Sequence, residues 1–266
     1  MASTSATTSS DFLRRRFEAL ARDRRKALVT YITAGHPTPD GSIALMRALE
    51  HAGADVIEVG VPFSDPMADG PVIQASSQTA LAQGMTLDRA LTLVRTAHLT
   101  IPVVLFSYLN PVVAAGPDVL DRAAASGVHG VLITDLPVGA DPEREQWLGS
   151  GPLAFVRLVA PTTPDARMRE IGAHGDGFVY LISRLGVTGA RDDVATELPE
   201  TIARLRRATA LPICVGFGIS TAAQAAHLGQ LADGIVVGSA VVRAANESVA
   251  QAATLAGELR RALDHA

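Results

Sequence analysis

The chain has 266 residues, 48% of them hydrophobic and 19% charged, and a formal net charge of -4 at pH 7. That is enough to bury a sizeable core, and an acidic balance with no dense basic stripe gives no electrostatic case for nucleic acid. No apolar run approaches the roughly 18 residues of a membrane-spanning helix, and Cys214, the single cysteine, excludes an internal disulfide and a cysteine-based metal centre; a cytoplasmic enzyme is expected.

Residues 1–10 are rich in Ser and Thr without an apolar core, so they read as a disordered tail rather than a secretory signal. The folded domain is expected over 11–266. Arg14 to Arg16 keep a truncated organelle-targeting peptide as a lesser alternative. Asp11–Arg22 reads as an amphipathic helix, with Phe12, Phe17 and Leu20 apolar among arginines. Ala27–Ala34 is a first strand. Leu45, Ala48, Leu49 and Ala52 recur at helical spacing, and Gly53 ends that helix. Val56–Val61 has the length and β-branched content of a buried parallel strand. Its residues alternate faces, so Val56, Glu58 and Gly60 share one side. Pro62, which lacks an N–H, stops it.

Further strands are predicted at Pro102–Ser107, Gly130–Thr134, Leu153–Val159, Gly177–Ile182, Pro212–Gly216 and Gly234–Val237. Helices are predicted near Leu87–Ala97, Asp118–Ala125, Pro142–Leu148, Asp165–Ile171, Pro199–Thr209 and Thr221–Leu228, and Leu255, Leu259 and Ala262 give a last helix its apolar face. Strands alternating with helices imply parallel pairing, and eight such units imply a closed (β/α)8 TIM barrel with an extra N-terminal helix. An open doubly wound sheet is the competing arrangement. No Pro/Gly/Ser-rich linker divides the chain, so one domain is expected.

In such a barrel the chemistry lies where the C-terminal strand ends meet the following loops. Glu58 should point into the barrel near that end. A buried charge costs several kcal/mol unless paired or facing a polar cavity. It is therefore either a general acid/base tuned by apolar walls or a structural acid paired with an arginine such as Arg157. Asp69 lies in the next loop, where an ordinary turn-forming role competes with a functional one. Asp65, in Ser-Asp-Pro, leans further toward the turn.

The ends of strands seven and eight are glycine-rich, Gly216 to Ser220 and Gly238-Ser239. Each precedes a helix, and free backbone N–H groups at helix starts bind anions, which points to a phosphorylated ligand. The loop Ser183–Glu197 is long enough to act as a lid, or is simply a mobile solvated loop. Lys26 is the only lysine and precedes strand one, which excludes a Schiff-base aldolase. Of seven histidines only His36 lies in a top loop, so no histidine cluster can hold a metal there. Carbon–carbon cleavage here would have to run on carboxylates, with the substrate as its own electron sink.

Val56 to Pro71, with Tyr108 to Pro111, Thr134 to Pro137, Gly186 to Gly189 and Gly216 to Ser220, resembles the tryptophan synthase alpha subunit family from about Phe12 onward. The resemblance implies cleavage of indole-3-glycerol phosphate to indole and glyceraldehyde 3-phosphate in tryptophan biosynthesis, with no cofactor in this chain. Carried over, Glu58 is the acid/base that protonates indole C3 and helps remove the hydroxyl proton, and Asp69 bonds the indole N–H. Tyr180 lines the site beside Glu58, and Tyr31, Phe106, Leu132, Thr134, Val159 and Val236 wall the indole pocket, with Thr188 also at the substrate. Gly189, Phe217, Gly218, Gly238 and Ser239 hold the phosphate.

His36 stands where the family more often has aspartate, and Thr134 where the pocket wall is often smaller. The family's partner is a beta subunit carrying pyridoxal phosphate, in an alpha2-beta2 assembly, with the contact at Pro62–Asp69 and Asn110-Pro111. The alternatives left open are a free-standing indole-3-glycerol-phosphate lyase, another phosphate-binding barrel such as a sugar-phosphate isomerase, and a catalytically idle ligand-binding regulatory subunit.

Overall fold

The computed structural model describes residues 8–182, 193–216 and 218–266. The chain opens with α1 (Ser9–Arg22), then β1 (Ala27–Thr33), α2 (Pro39–His51), β2 (Val56–Gly60), α3 (Pro71–Ala82), α4 (Leu87–Ala97) and β3 (Val103–Ser107). It continues through α5 (Leu109–Ala114), α6 (Val119–Ala125), β4 (Gly130–Ile133), α7 (Pro142–Gly149), β5 (Ala154–Val159), α8 (Asp165–Ala173) and β6 (Val179–Ile182). The last elements are α9 (Asp193–Ala208), β7 (Ile213–Gly216), α10 (Ala222–Leu231), β8 (Gly234–Val237), α11 (Ser239–Glu247) and α12 (Val249–Asp264). All strand pairings are parallel, and β8 returns to β1 to close the barrel. An open doubly wound sheet is thereby ruled out.

Helix starts follow the side chains that can cap them. Thr38, Thr86, Asp141, Thr221 and Ser248 each accept a backbone N–H from the first turn that follows, which satisfies donors that helix geometry leaves free. The strands sort their residues by alternation. Ile57, Val59, Leu105, Val131, Leu181, Val215 and Ile235 belong to the apolar layer that includes the helices. Val29, Val56, Val104, Leu132, Val156, Cys214 and Val236 belong to the second cluster, inside the barrel.

The barrel's lower end is stoppered by α1, whose Leu13, Phe17 and Leu20 join the interior cluster. Phe17 stacks on Phe178 at 5.2 Å. Beside this plug lies Asp55, wholly buried. It accepts the Leu28 N–H and Arg260 Nη1, both at 2.8 Å, and pairs with Arg16. One carboxylate thus ties α1 and α12 to the starts of β1 and β2.

Several boundaries differ from the sequence reading. The first helix starts at Ser9, because Thr8 caps it with Asp11 in a capping box, so the tail does not extend to residue 10. The last helix is two, broken where Ser248 turns extended and caps the second. The helix expected from Pro199 begins at Asp193, so the long loop after β6 ends before Asp193 rather than at Glu197. Residues 183–192 of the proposed lid lie outside the described residues. Two helices, α3 and α5, had no counterpart in the sequence reading.

Candidate active site

Glu58 stands in the middle of β2 with its side chain toward the barrel axis, level with Tyr31 of β1 and Val104 of β3. It is 1% exposed, and its Oε1 has no hydrogen-bond partner. Burial alone pushes its pKa up to about 8, since a low-dielectric site disfavours the charged form. Arg157, the salt-bridge alternative, faces the other way. It pairs with Glu145 at 2.8 Å and lies 3.7 Å over the Phe155 ring, outside the barrel. Nothing there neutralises Glu58.

Asp69 sits half-buried in the loop after β2, and its pKa is pushed up to about 6. Burial raises it, and a hydrogen bond with Tyr108 partly opposes the rise. Its backbone is fixed by Asp69 N–H to Pro66 O at 3.1 Å and by Gln74 Nε2 to Asp69 O at 2.8 Å. Asp65 is exposed and bonds only locally, to Ser64 at 2.6 Å, in keeping with a turn role.

Tyr31 and Tyr180 complete the group. Burial raises both phenol pKa values, and both feel Glu58 and Asp69. The two carboxyls and two phenols therefore converge on one space. Glycines make room for it. A Cβ on Gly60 would lie 2.0 Å from Tyr31 Oη, and one on Gly216 would lie 2.4 Å from Tyr180 Cε2. Tyr31 meets Phe106 edge-on at 5.3 Å.

Of the other predicted wall residues, Phe106, Leu132 and Val236 belong to the interior cluster or pack on it. Thr134 follows β4, bonded through its N–H to Ser107 O at 3.0 Å, and reaches Tyr108. Val159 is a correction. It packs in the outer layer with the helices. On β5 the inward positions are Ala154, Val156 and Leu158, so Leu158 occupies the wall position assigned to Val159.

Of the predicted phosphate residues, Gly218, Gly238 and Ser239 fall at two adjoining loops, since β7 and β8 pair at Gly216 and Val236. Gly218 has φ +84°, a conformation natural to glycine. Ser239 opens α11, whose N-cap Gly238 supplies no side-chain hydrogen bond, and a helix start of this kind suits an anion. Thr188, Gly189 and Phe217 lie outside the described residues. His36 is buried and bonds Asn246 Oδ1 through Nε2 at 2.6 Å. Burial lowers its pKa, and the bond to Asn246 partly opposes this. Among the described residues no cluster of three or more His, Cys, Asp or Glu could hold a metal.

Sequence reasoning missed Gly60, Gly216 and Tyr108 as individual contributors. Parity could have found the first, because Gly60 shares the Glu58 face. Tyr108 could have been suspected as an aromatic hydroxyl at a strand's C-terminal end.

A family model described as tryptophan synthase alpha chain matches residues 17–264. The tryptophan synthase alpha chain of Laribacter hongkongensis is 48% identical over 258 residues, 94% of this chain and 97% of that protein. That of Desulfosudis oleivorans is 47% identical over 236 residues, 88% of this chain and 89% of that one. The solved tryptophan synthase subunit alpha of Legionella pneumophila superposes with a TM-score of 0.88 at 33% identity, covering 98% of this chain and all of that one. A chain of tryptophan synthase from M. tuberculosis gives 0.86 at 33% identity, covering 94% and 98%. A closed barrel with an inward Glu58, matched along nearly its whole length, makes this chain a member of the tryptophan synthase alpha chain family.

Proposed function

We propose that Glu58 and Asp69 together cleave the carbon–carbon bond of indole-3-glycerol phosphate, as the lyase activity of the family requires. The observation that carries this reading is the buried carboxyl of Glu58, whose Oε1 has no hydrogen-bond partner and whose pKa is near 8. At neutral pH it holds a proton, so it is poised as an acid rather than a base. It delivers that proton to indole C3. The ring then carries positive charge shared with its nitrogen, and the Asp69 carboxylate accepts a hydrogen bond from the indole N–H.

Glu58, now ionised, takes the hydroxyl proton of the side chain. As the carbonyl forms, the carbon–carbon bond breaks and its electron pair returns to the ring. Indole and glyceraldehyde 3-phosphate leave, and Glu58 is again protonated. The start of α11, with no side-chain cap, and the Gly218 turn support phosphate binding at the far side.

This sequence uses no cofactor of the chain. Lys26 lies at the opposite end, bonded to Ala232 O at 3.0 Å, and pyridoxal phosphate chemistry belongs to a beta subunit. The loop carrying Asp69 is the surface we assign to that partner, in an alpha2-beta2 complex. Met67, 93% exposed on that loop, supports the assignment, because a lone large apolar side chain held out from a rigid loop suits an interface. Among the described residues no helix is long and apolar enough to cross a membrane, in keeping with a cytoplasmic setting.

The test is indole release from indole-3-glycerol phosphate. Glu58→Gln is expected to lose about 10²–10⁴-fold and Asp69→Asn about 10²–10³-fold, both with wild-type circular dichroism. Full activity in Glu58→Gln would sink the assignment. Co-elution with a cognate beta subunit, weakened by Met67→Glu, checks the partner surface.

A further inference from the structure

The loop that carries Asp69 is fastened by a residue from another strand. Tyr108 follows β3 directly and is 4% exposed. Its ring packs on Phe63 at the start of the loop, with centroids 5.1 Å apart. Its oxygen accepts the backbone N–H of Ala68 at 2.9 Å, and its hydroxyl also hydrogen-bonds the Asp69 carboxylate. A phenol offers one proton and two lone pairs. With the Ala68 N–H on one lone pair and the Thr134 side chain on the other, the proton is left for the carboxylate.

We propose that Tyr108 is a positioning residue for Asp69: one hydroxyl fixes the loop backbone by accepting from Ala68 and aims the neighbouring carboxylate by donating to it. The proposal rests on the role given to Asp69 above. Gln74 holds the Asp69 carbonyl but not its carboxylate, so it cannot replace the phenol. Among the described residues the titratable groups facing Asp69 are Tyr31 from β1, Tyr108 from the end of β3 and Tyr180 from β6, with Glu58 of β2 beside the same tyrosines. None of these is a cation. Tyr108 itself is pushed up to about 12, so it remains a donor across the working range.

The consequence is directional. A hydrogen bond to the charged form lowers a carboxyl's pKa, so removing it must raise that of Asp69. In Tyr108→Phe the ring and its packing on Phe63 remain, and only the hydroxyl is lost. The experiment is carbon-13 NMR titration of the Asp69 carboxyl in wild type and Tyr108→Phe, with kcat/KM for indole release followed against pH.

The Asp69 midpoint is expected to move up from about 6 by about half a unit to one unit, the effect of one charge-assisted hydrogen bond in a partly solvated site. The acid limb of kcat/KM should move with it, so the deficit is larger at about pH 6 than at about pH 8. Phe63→Leu loosens the same loop but keeps the phenol, and should leave the midpoint in place. An unmoved midpoint in folded Tyr108→Phe, or an equal shift in Phe63→Leu, overturns the proposal. Full activity in Asp69→Asn would instead remove the catalytic role of Asp69, while the NMR titration still decides what Tyr108 does to it.

Discussion

Glu58 ionises near pH 4.5 when free and near 8 in the fold. Between those values the native state keeps a proton that the unfolded chain has released. Stability must therefore fall as pH rises through that window and level off above it. The loss is on the order of 5 kcal/mol at most, at about 1.36 kcal/mol per pH unit. Asp69 adds a smaller loss of the same sign up to about pH 6. Glutamine at position 58 has no charge to bury. Glu58→Gln should thus exceed wild type in stability at about pH 9 and lose most of that margin near pH 4.5. Urea unfolding across this range checks it, and a margin independent of pH would contradict the burial account. The residue proposed for catalysis is, on this view, a standing cost to the fold.

At the level of elements, the readable parts of the sequence were those with a period. The β2 run alternates apolar residues around Glu58, and the structure keeps that alternation. The α4 span, Leu87–Ala97, agrees at both ends, because its apolar stripe is strong and Thr86 caps it. The α3 helix was unreadable for a physical reason. Its buried residues are Ser76, Ser77 and Ala80, so the inward face is small and partly polar and leaves no hydrophobic rhythm. Thr33 and Ser76 bond there at 2.6 Å.

Val159 was misplaced because a wall residue was chosen by resemblance rather than by counting twos along β5. The contributions of Gly60 and Gly216 are contacts between elements, which no single segment shows. They yield a prediction at this scale. In Gly60→Ala the new methyl meets the Tyr31 hydroxyl, which is boxed in by Phe106 and Thr33. The variant should lose about 1–3 kcal/mol from overpacking, read as a lower urea midpoint. Pairing it with Tyr31→Phe, which removes the nearest clashing atom, should recover part of the loss.

Across the whole molecule, the two ends of the barrel divide the labour. Among the described residues the upper end holds two carboxyls with no cation beside them in an ion pair, and the lower end holds a fully paired one. Asp55 has Arg16, Arg260 and the Leu28 N–H about it. Asp55→Ala would leave the 7% exposed Arg260 without its buried anion, with only the partly exposed Asp264 beside it at 2.7 Å. Losing one partner of a buried pair typically costs about 3–5 kcal/mol, and chemical denaturation of the variant should show a loss of that size. The folded fraction should still release indole at the wild-type turnover, because Asp55 is far from the upper loops. A loss confined to turnover would mean that the cluster acts on the site and not on the frame.

That same carboxylate sets a schedule for synthesis. Asp55 leaves the ribosome 205 positions ahead of Arg260; Arg16 precedes it and is at hand early, but its second arginine arrives only with α12, after β8 has been made to close on β1. Until then the acid has reason to stay in water. Early strands can pair while the chain is still growing, but the floor of the barrel cannot be sealed. Completion is deferred to the final stretch of translation, and a nascent chain stalled before α12 would present an open lower mouth.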